Sequence, residues 1–159
     1  MERDVVGLLG KIDDYWEMIS THHTSSYSVD KGAFDNATVK ILILSKHHQN
    51  WEFIFECPNL EEINLDQPSK EQVQAIYKLT NLKRLRIKNF RTKNIEFVNT
   101  LFNVEELALE YVSGFSDLSP LQNLLKLKSL HLENLRKVGN FDGLRGIKTL
   151  KYLHIDGPL

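Results

Sequence analysis

Residues 121–132 read Leu121-Gln122-Asn123-Leu124-Leu125-Lys126-Leu127-Lys128-Ser129-Leu130-His131-Leu132. Leucines fall three residues apart at 121, 124, 127 and 130, and the last pair, 130 and 132, closes to a spacing of two. A three-residue step suits a tight helical turn, and a two-residue step belongs to an extended strand. The stretch therefore predicts a short coil or helical turn running directly into a strand. With Leu127 as origin, the apolar offsets are −6, −3, 0, +3 and +5. The same template fits around Leu60, Leu82, Val104 and Leu150, so the origins 60, 82, 104, 127 and 150 are 22, 22, 23 and 23 residues apart. Val39, Leu42 and Leu44 match the last three offsets one period earlier, as a degenerate first repeat. A fixed period of this length marks a solenoid, in which each module buries its apolar face against the next.

Composition sets outer bounds. The 159 residues suffice for one domain with a sizeable core, and 42% hydrophobic with 26% charged residues is ordinary for a globular chain. A net charge of −1 supplies no basic field of the kind nucleic-acid binders display. Cys57 is the only cysteine, which excludes an intramolecular disulfide and points to a reducing compartment. The first residues do not read as a signal peptide, and no apolar run approaches a membrane span, so a cytoplasmic location is expected, with no nucleic-acid or membrane partner.

Before the repeats, residues 2–19 place Val5, Val6, Leu8, Leu9, Ile12, Trp16 and Ile19 on one helical stripe. This predicts an amphipathic helix that caps the open end of the core. The polar stretch 20–36 reads as a loop, and its adjacent His22 and His23 are read as solvated side chains and not as metal ligands. Between strands, Pro68–Leu79 predicts a helix behind its proline, and Phe115–Leu121 a turn followed by a single helical turn.

Leu-x-x-Leu-x-Leu at this period resembles the leucine-rich-repeat family, over roughly residues 54–159, or 39–159 with the degenerate repeat included. Asp117–Leu132 looks like the short bacterial, internalin-like type, whereas Ile54–Leu65 looks more like the cysteine-containing class. The chain departs from the pattern where the family carries Asn or Cys three residues after each strand's last leucine. Pro68, Phe90, Val112, Leu135 and Pro158 stand there, which argues against an asparagine ladder buried under the turns. The resemblance implies an α/β solenoid, with a curved parallel sheet on the concave side and short helices or turns on the convex side. Residues 1–36 would form the cap helix and loop, and 37–159 about six repeats. It also implies a protein-binding scaffold with no catalytic residues, cofactor or metal of its own.

The sequence shows no phosphate loop, paired-cysteine spacing or His-Glu-x-x-His. Cys57 occupies an apolar offset and reads as a small buried hydrophobe. His131 and His154 share offset +4 on adjacent strands and should stack about 5 Å apart. Such a pair is able to bind a metal or sense pH, but a repeated surface residue is the simpler account.

Offsets +1, +2, +4 and +6 make the outward columns of the sheet. They read Glu61, Lys83, Glu105, Lys128, Lys151; Glu62, Arg84, Glu106, Ser129, Tyr152; Asn64, Arg86, Ala108, His131, His154; and Asp66, Lys88, Glu110, Glu133, Asp156. Three repeats are thus acidic, basic, acidic, which predicts a cross-strand charge ladder. The expected partner surface comprises Arg84, Arg86, Tyr111, Lys128, His131, Lys151, Tyr152 and His154, weighted toward the C-terminal half, because tyrosine is frequent at binding hot spots. Six strands about 4.8 Å apart and about 17 Å long give a face of roughly 400 Å², half of what a standard interface needs per partner, so rim loops must take part or the partner is a peptide.

The function expected is binding of a protein or peptide on the concave face and rim, by analogy as an inhibitor or immunity-type partner of a toxin or enzyme. The alternative is a structural N-terminal portion of a larger protein whose activity lies elsewhere. The final strand, Leu153–Ile155, has no helix or polar flap after it, which makes its edge a candidate for pairing with a second copy.

Overall fold

In the computed structural model, residues 36, 37 and 39–157 are described. The cap helix expected over 2–19, His22, His23 and nearly all of the loop to residue 36 lie outside the described residues.

Six strands, β1 (Ile41–Leu44), β2 (Glu62–Asp66), β3 (Arg84–Arg91), β4 (Glu106–Ser113), β5 (Ser129–Glu133) and β6 (Tyr152–Asp156), form one parallel sheet in strict chain order. The register is the sequence period itself: Leu42, Ile63, Leu85, Leu107, Leu130 and Leu153 stand opposite one another, as do Leu44, Leu65, Ile87, Leu109, Leu132 and Ile155. The degenerate first repeat therefore pairs in phase with the rest.

The three-residue leucine step is a hydrogen-bond step. Backbone N–H groups of Leu79, Leu101 and Leu124 donate to the carbonyls of Ile76, Val98 and Leu121, and those of Leu82, Val104 and Leu127 donate in turn to Leu79, Leu101 and Leu124. Each i→i+3 bond closes one tight turn and drops the next apolar side chain into the core. The connectors accordingly carry 3₁₀ segments at Trp51–Glu56, Ile76–Lys78, Glu96–Thr100, Ser119–Asn123 and Asp142–Leu144. The connector behind Pro68 adds helix α1 (Lys70–Ala75), closed by a capping box in which Ser69 Oγ accepts from Gln72 N–H and Gln72 Oε1 accepts from Ser69 N–H. Gln72 Nε2 also donates to the Ser45 carbonyl after β1, which fastens α1 to the first repeat.

Offsets −6, −3, 0, +3 and +5 fill one continuous core from Val39 to Ile147, and Cys57 is buried within it. Burial pushes the Cys57 thiol up from its ordinary value, as suits an inert filler. Trp51 and Phe55 pack edge to face at 5.9 Å against the N-terminal part of this core. Among the described residues, burial of the template positions weakens over the last repeat, where Leu144, Leu150 and Ile155 are half-buried. Leu153 is 47% exposed, whereas Leu130, at the same offset one repeat earlier, is wholly buried.

Candidate functional site

The open face of the sheet carries offsets +2, +4 and +6, and its chemistry follows from register. Along +1, Lys83 meets Glu61 at 3.1 Å and Lys128 meets Glu105 at 2.7 Å. Along +2, Arg84 stands between Glu62 and Glu106, which are its register partners on either side. Arg84 Nε is 3.5 Å from Glu106 Oε2, an ion-pair distance too long for a good hydrogen bond. Along +4, the methyl of Ala108 leaves room beside Arg86, whose guanidinium crosses diagonally to β4. There Nε and Nη2 donate to the two carboxylate oxygens of Glu110 at 2.9 and 2.8 Å. Such a two-point clamp is the strongest ion-pair geometry available to side chains, and this one is sunk into the face, with Glu110 only 3% exposed.

Burial sets the state of Glu106. Desolvation pushes its carboxyl up to about 7, with Arg84 opposing the shift and Glu62 adding to it. The folded chain then holds this proton more tightly than the unfolded chain does. The contribution to stability is present in full below the ordinary value of 4.5 and is lost as pH rises through about 7. Glu106→Gln is expected to leave stability near pH 4.5 unchanged. At pH 8 the variant should be the more stable protein, by on the order of 2 kcal/mol after allowance for solvent screening. Urea titrations of both proteins at the two pH values check this; a variant less stable at pH 8 would show that the Arg84 pairing outweighs desolvation.

In the C-terminal half the columns change character. His131 and His154 stack at 4.6 Å with a 16° interplanar angle, as their shared offset predicts. His131 is 7% exposed, and burial lowers its pKa, with His154 adding to the shift and Glu133 and Glu110 opposing it. Its Nε2 is 3.4 Å from Glu133 Oε2, and its Nδ1 is buried with no hydrogen-bond partner among the described residues. Glu110 and Glu133 stand opposite each other in register. One oxygen from each and one His131 nitrogen all lie within 4.8 Å of one another.

Beside this group, Tyr111 has φ 54°, in the left-handed region. The residues one repeat away in each direction, Asn89 and Asn134, have φ 55° and 53°, and Gln67 and Gly157 continue the series at 49° and 87°. A left-handed residue thus recurs at offset +7 in every repeat from β2 onward. Asn and Gly adopt that conformation at low cost, and a bulky tyrosine does not. Tyr111 is also 45% exposed, and the nearby Glu133 carboxylate pushes its phenol pKa up.

The eight residues expected at the partner surface therefore divide. Tyr152 and His154 lie on the same face of β6, half-buried, with Lys151 exposed next to them and Tyr111 exposed at the rim. Arg84, Arg86 and Lys128 are engaged in ion pairs with Glu106, Glu110 and Glu105. His131, expected at the contact surface, is instead buried, because His154 covers one face of its ring and the strands on both sides close around it. Sequence reasoning did not single out Glu106, Glu110 or Glu133. The signal for the last two was the run of like charges Glu110, Glu133 and Asp156 in one column, since like charges directly opposite are unfavourable unless a cation answers them. It also missed an asparagine ladder at offset −1, where Asn59, Asn81 and Asn103 side chains donate to the carbonyls of Ala37, Pro58 and Thr80 in the preceding repeat.

No protein-family model matches the chain, and no curated protein matches it. Solved structures do. Internalin C2 from Listeria monocytogenes aligns over 74% of this chain and 51% of its own, with a TM-score of 0.57 at 22% identity. An internalin from the same organism, InlF, aligns over 82% of this chain and 41% of its own, with a TM-score of 0.58 at 23% identity. The fold is a leucine-rich-repeat solenoid. Its open sheet face is the concave face of that architecture, and this chain spans about half or less of the length of the two internalins.

Proposed function

We propose that this solenoid is a protein-binding module and not an enzyme, and that a protein or peptide docks on the C-terminal half of the concave face and its rim. Tyr111, Lys151, Tyr152 and His154 make the contact, with the Arg84, Arg86 and Lys128 ion pairs holding the face rigid beneath. The observation that carries the reading is Tyr111. The equivalent bend is made by Asn89 and Asn134 in the flanking repeats, so the fold does not need a tyrosine in this strained conformation. An exposed tyrosine kept there at a cost in backbone energy fits recognition better than packing. The single buried Cys57 keeps a reducing, cytoplasmic setting part of the proposal. An inhibitor or immunity-type role would use the same contact.

Tyr111→Asn tests this, because asparagine suits the left-handed bend. The variant is expected to melt no lower than wild type and yet to bind its partner roughly 30-fold less tightly, a hot-spot loss of about 2 kcal/mol. Affinity capture with wild type, Tyr111→Asn and a Tyr152→Ala, His154→Ala variant supplies the partner and the comparison. Retention of the same protein by all three would remove the concave C-terminal half as the site.

Leu153 favours a second reading. Its exposure leaves the core's last layer open, as in a portion of a longer solenoid or at an edge that pairs with a second copy. A light-scattering mass of one chain at high concentration would remove the second copy.

A further inference from the structure

We propose that Glu110, His131 and Glu133 form a site for a divalent transition-metal ion of the zinc class. This inference is independent of the partner-binding reading. The three side chains come from adjacent strands, Glu110 from β4 and His131 and Glu133 from β5, so register alone brings them together. A tetrahedral ion with bonds of about 2.0–2.2 Å holds its ligand atoms about 3.4 Å apart. His131 Nε2 and Glu133 Oε2 already stand at 3.4 Å, and the largest separation in the group is within 4.8 Å. A shift of about 1 Å in the Glu110 or Glu133 side chain closes the set.

Arg86 pairs with Glu110, but the ion-pair partner of Glu133 among the described residues is His131, which is a cation only when protonated. Two carboxylates face each other across adjacent strands, where like charges repel. His131, more than nine-tenths buried, has no partner at Nδ1 among the described residues, and 3.4 Å at Nε2 is longer than a good hydrogen bond. An ion that takes His131 Nε2 and one oxygen from each carboxylate answers the carboxylate repulsion and the long Nε2 contact. Outer contacts hold the Glu110 carboxylate and the plane of the His131 ring, as neighbours of metal ligands do. Arg86 fixes the Glu110 carboxylate through one lone pair on each oxygen, leaving others for the ion. The parallel ring of His154 fixes the plane of His131. An imidazole among the ligands selects zinc, cobalt or nickel over calcium or magnesium, which prefer oxygen alone.

The experiment uses tag-free protein, Zn²⁺ titration by calorimetry and Co²⁺ as a spectroscopic substitute. Saturable binding of one ion per chain is expected, with a raised melting temperature and visible Co²⁺ absorption. His131→Ala and Glu133→Gln should each weaken binding by well over about 100-fold, beyond the loss expected of an outer-shell contact. His47→Ala, at an exposed histidine away from the group, should leave it unchanged. Glu133 is only half-buried, so Glu133→Gln keeps the test decisive even where His131→Ala fails to fold. No saturable binding at about 100 µM ion, equal affinity in the Glu133→Gln variant, or loss confined to His47→Ala would each overturn the site.

Discussion

Arg86→Ala is expected to destabilise the protein by about 3–5 kcal/mol, because it strands a buried carboxylate. Glu110 is 3% exposed and engages both oxygens with the Arg86 guanidinium, at 2.9 and 2.8 Å. Without the arginine, water has little access to the carboxylate, and another acid, Glu133, is in register beside it. The expected loss is far larger than that for the exposed +1 pair. Lys83→Ala, which unpairs half-exposed Glu61, should cost no more than about 1 kcal/mol. Removing both members of the buried pair, as Arg86→Met with Glu110→Leu, should restore most of the lost stability, since an apolar pair of similar volume avoids desolvating charge. Urea unfolding of the single and double variants measures the whole cycle. An Arg86→Ala loss below about 1 kcal/mol would mean that solvent reaches Glu110 and that the clamp is a surface feature.

The fold was legible because it rests on a repeat. Apolar offsets fix which side chains enter the core, and a constant period fixes register, so the parallel order of six strands follows from spacing alone. The three-residue step even anticipated the i→i+3 hydrogen bonds of the connectors. The turns were less legible. Absence of Asn or Cys at the family position argued against a buried asparagine ladder, and the chain places its own ladder at offset −1, from exposed Asn59 and Asn81 and half-buried Asn103. The sequence does carry that column and the Asn- and Gly-containing column at offset +7. Both answer backbone groups whose positions are known only once the turn is built.

The candidate site was legible in its columns and not in its depths. In-register pairs such as Lys83 with Glu61 and the stacked histidines follow from shared offsets. The Arg86–Glu110 clamp is diagonal, from offset +4 to offset +6, and exists because Ala108 is small. A residue-by-residue column reading has no means of weighing a missing side chain. Burial of His131 and Glu106 escaped for the same reason: alternation assigns a face and says nothing of how tightly neighbours close over it. Tyr111 was singled out as a rim tyrosine, but its value as a marker comes from its backbone, which the identity of the residue does not reveal.

Leu107→Ala and Leu153→Ala, the same truncation at the same offset, should differ by several-fold in cost. Leu107 is buried between Leu85 and Leu130, its register partners on β3 and β5. Strands on both sides pin the layer at about 4.8 Å, so the cavity left by the lost methyl groups closes only partly. The expected loss is about 3–5 kcal/mol, in the upper part of the range for leucine-to-alanine changes in cores. Leu153 is 47% exposed on β6, and truncation there should cost about 1 kcal/mol or less. Because a solenoid's stability is a chain of intrinsic and nearest-neighbour contributions, a central deletion weakens two interfaces and a terminal one weakens one. Denaturant unfolding of both variants, at low and high protein concentration, measures the contrast. Equal losses at high concentration, with the difference restored on dilution, would mean that a second copy covers β6. Equal losses at every concentration would mean that the end of the core is closed within the chain itself.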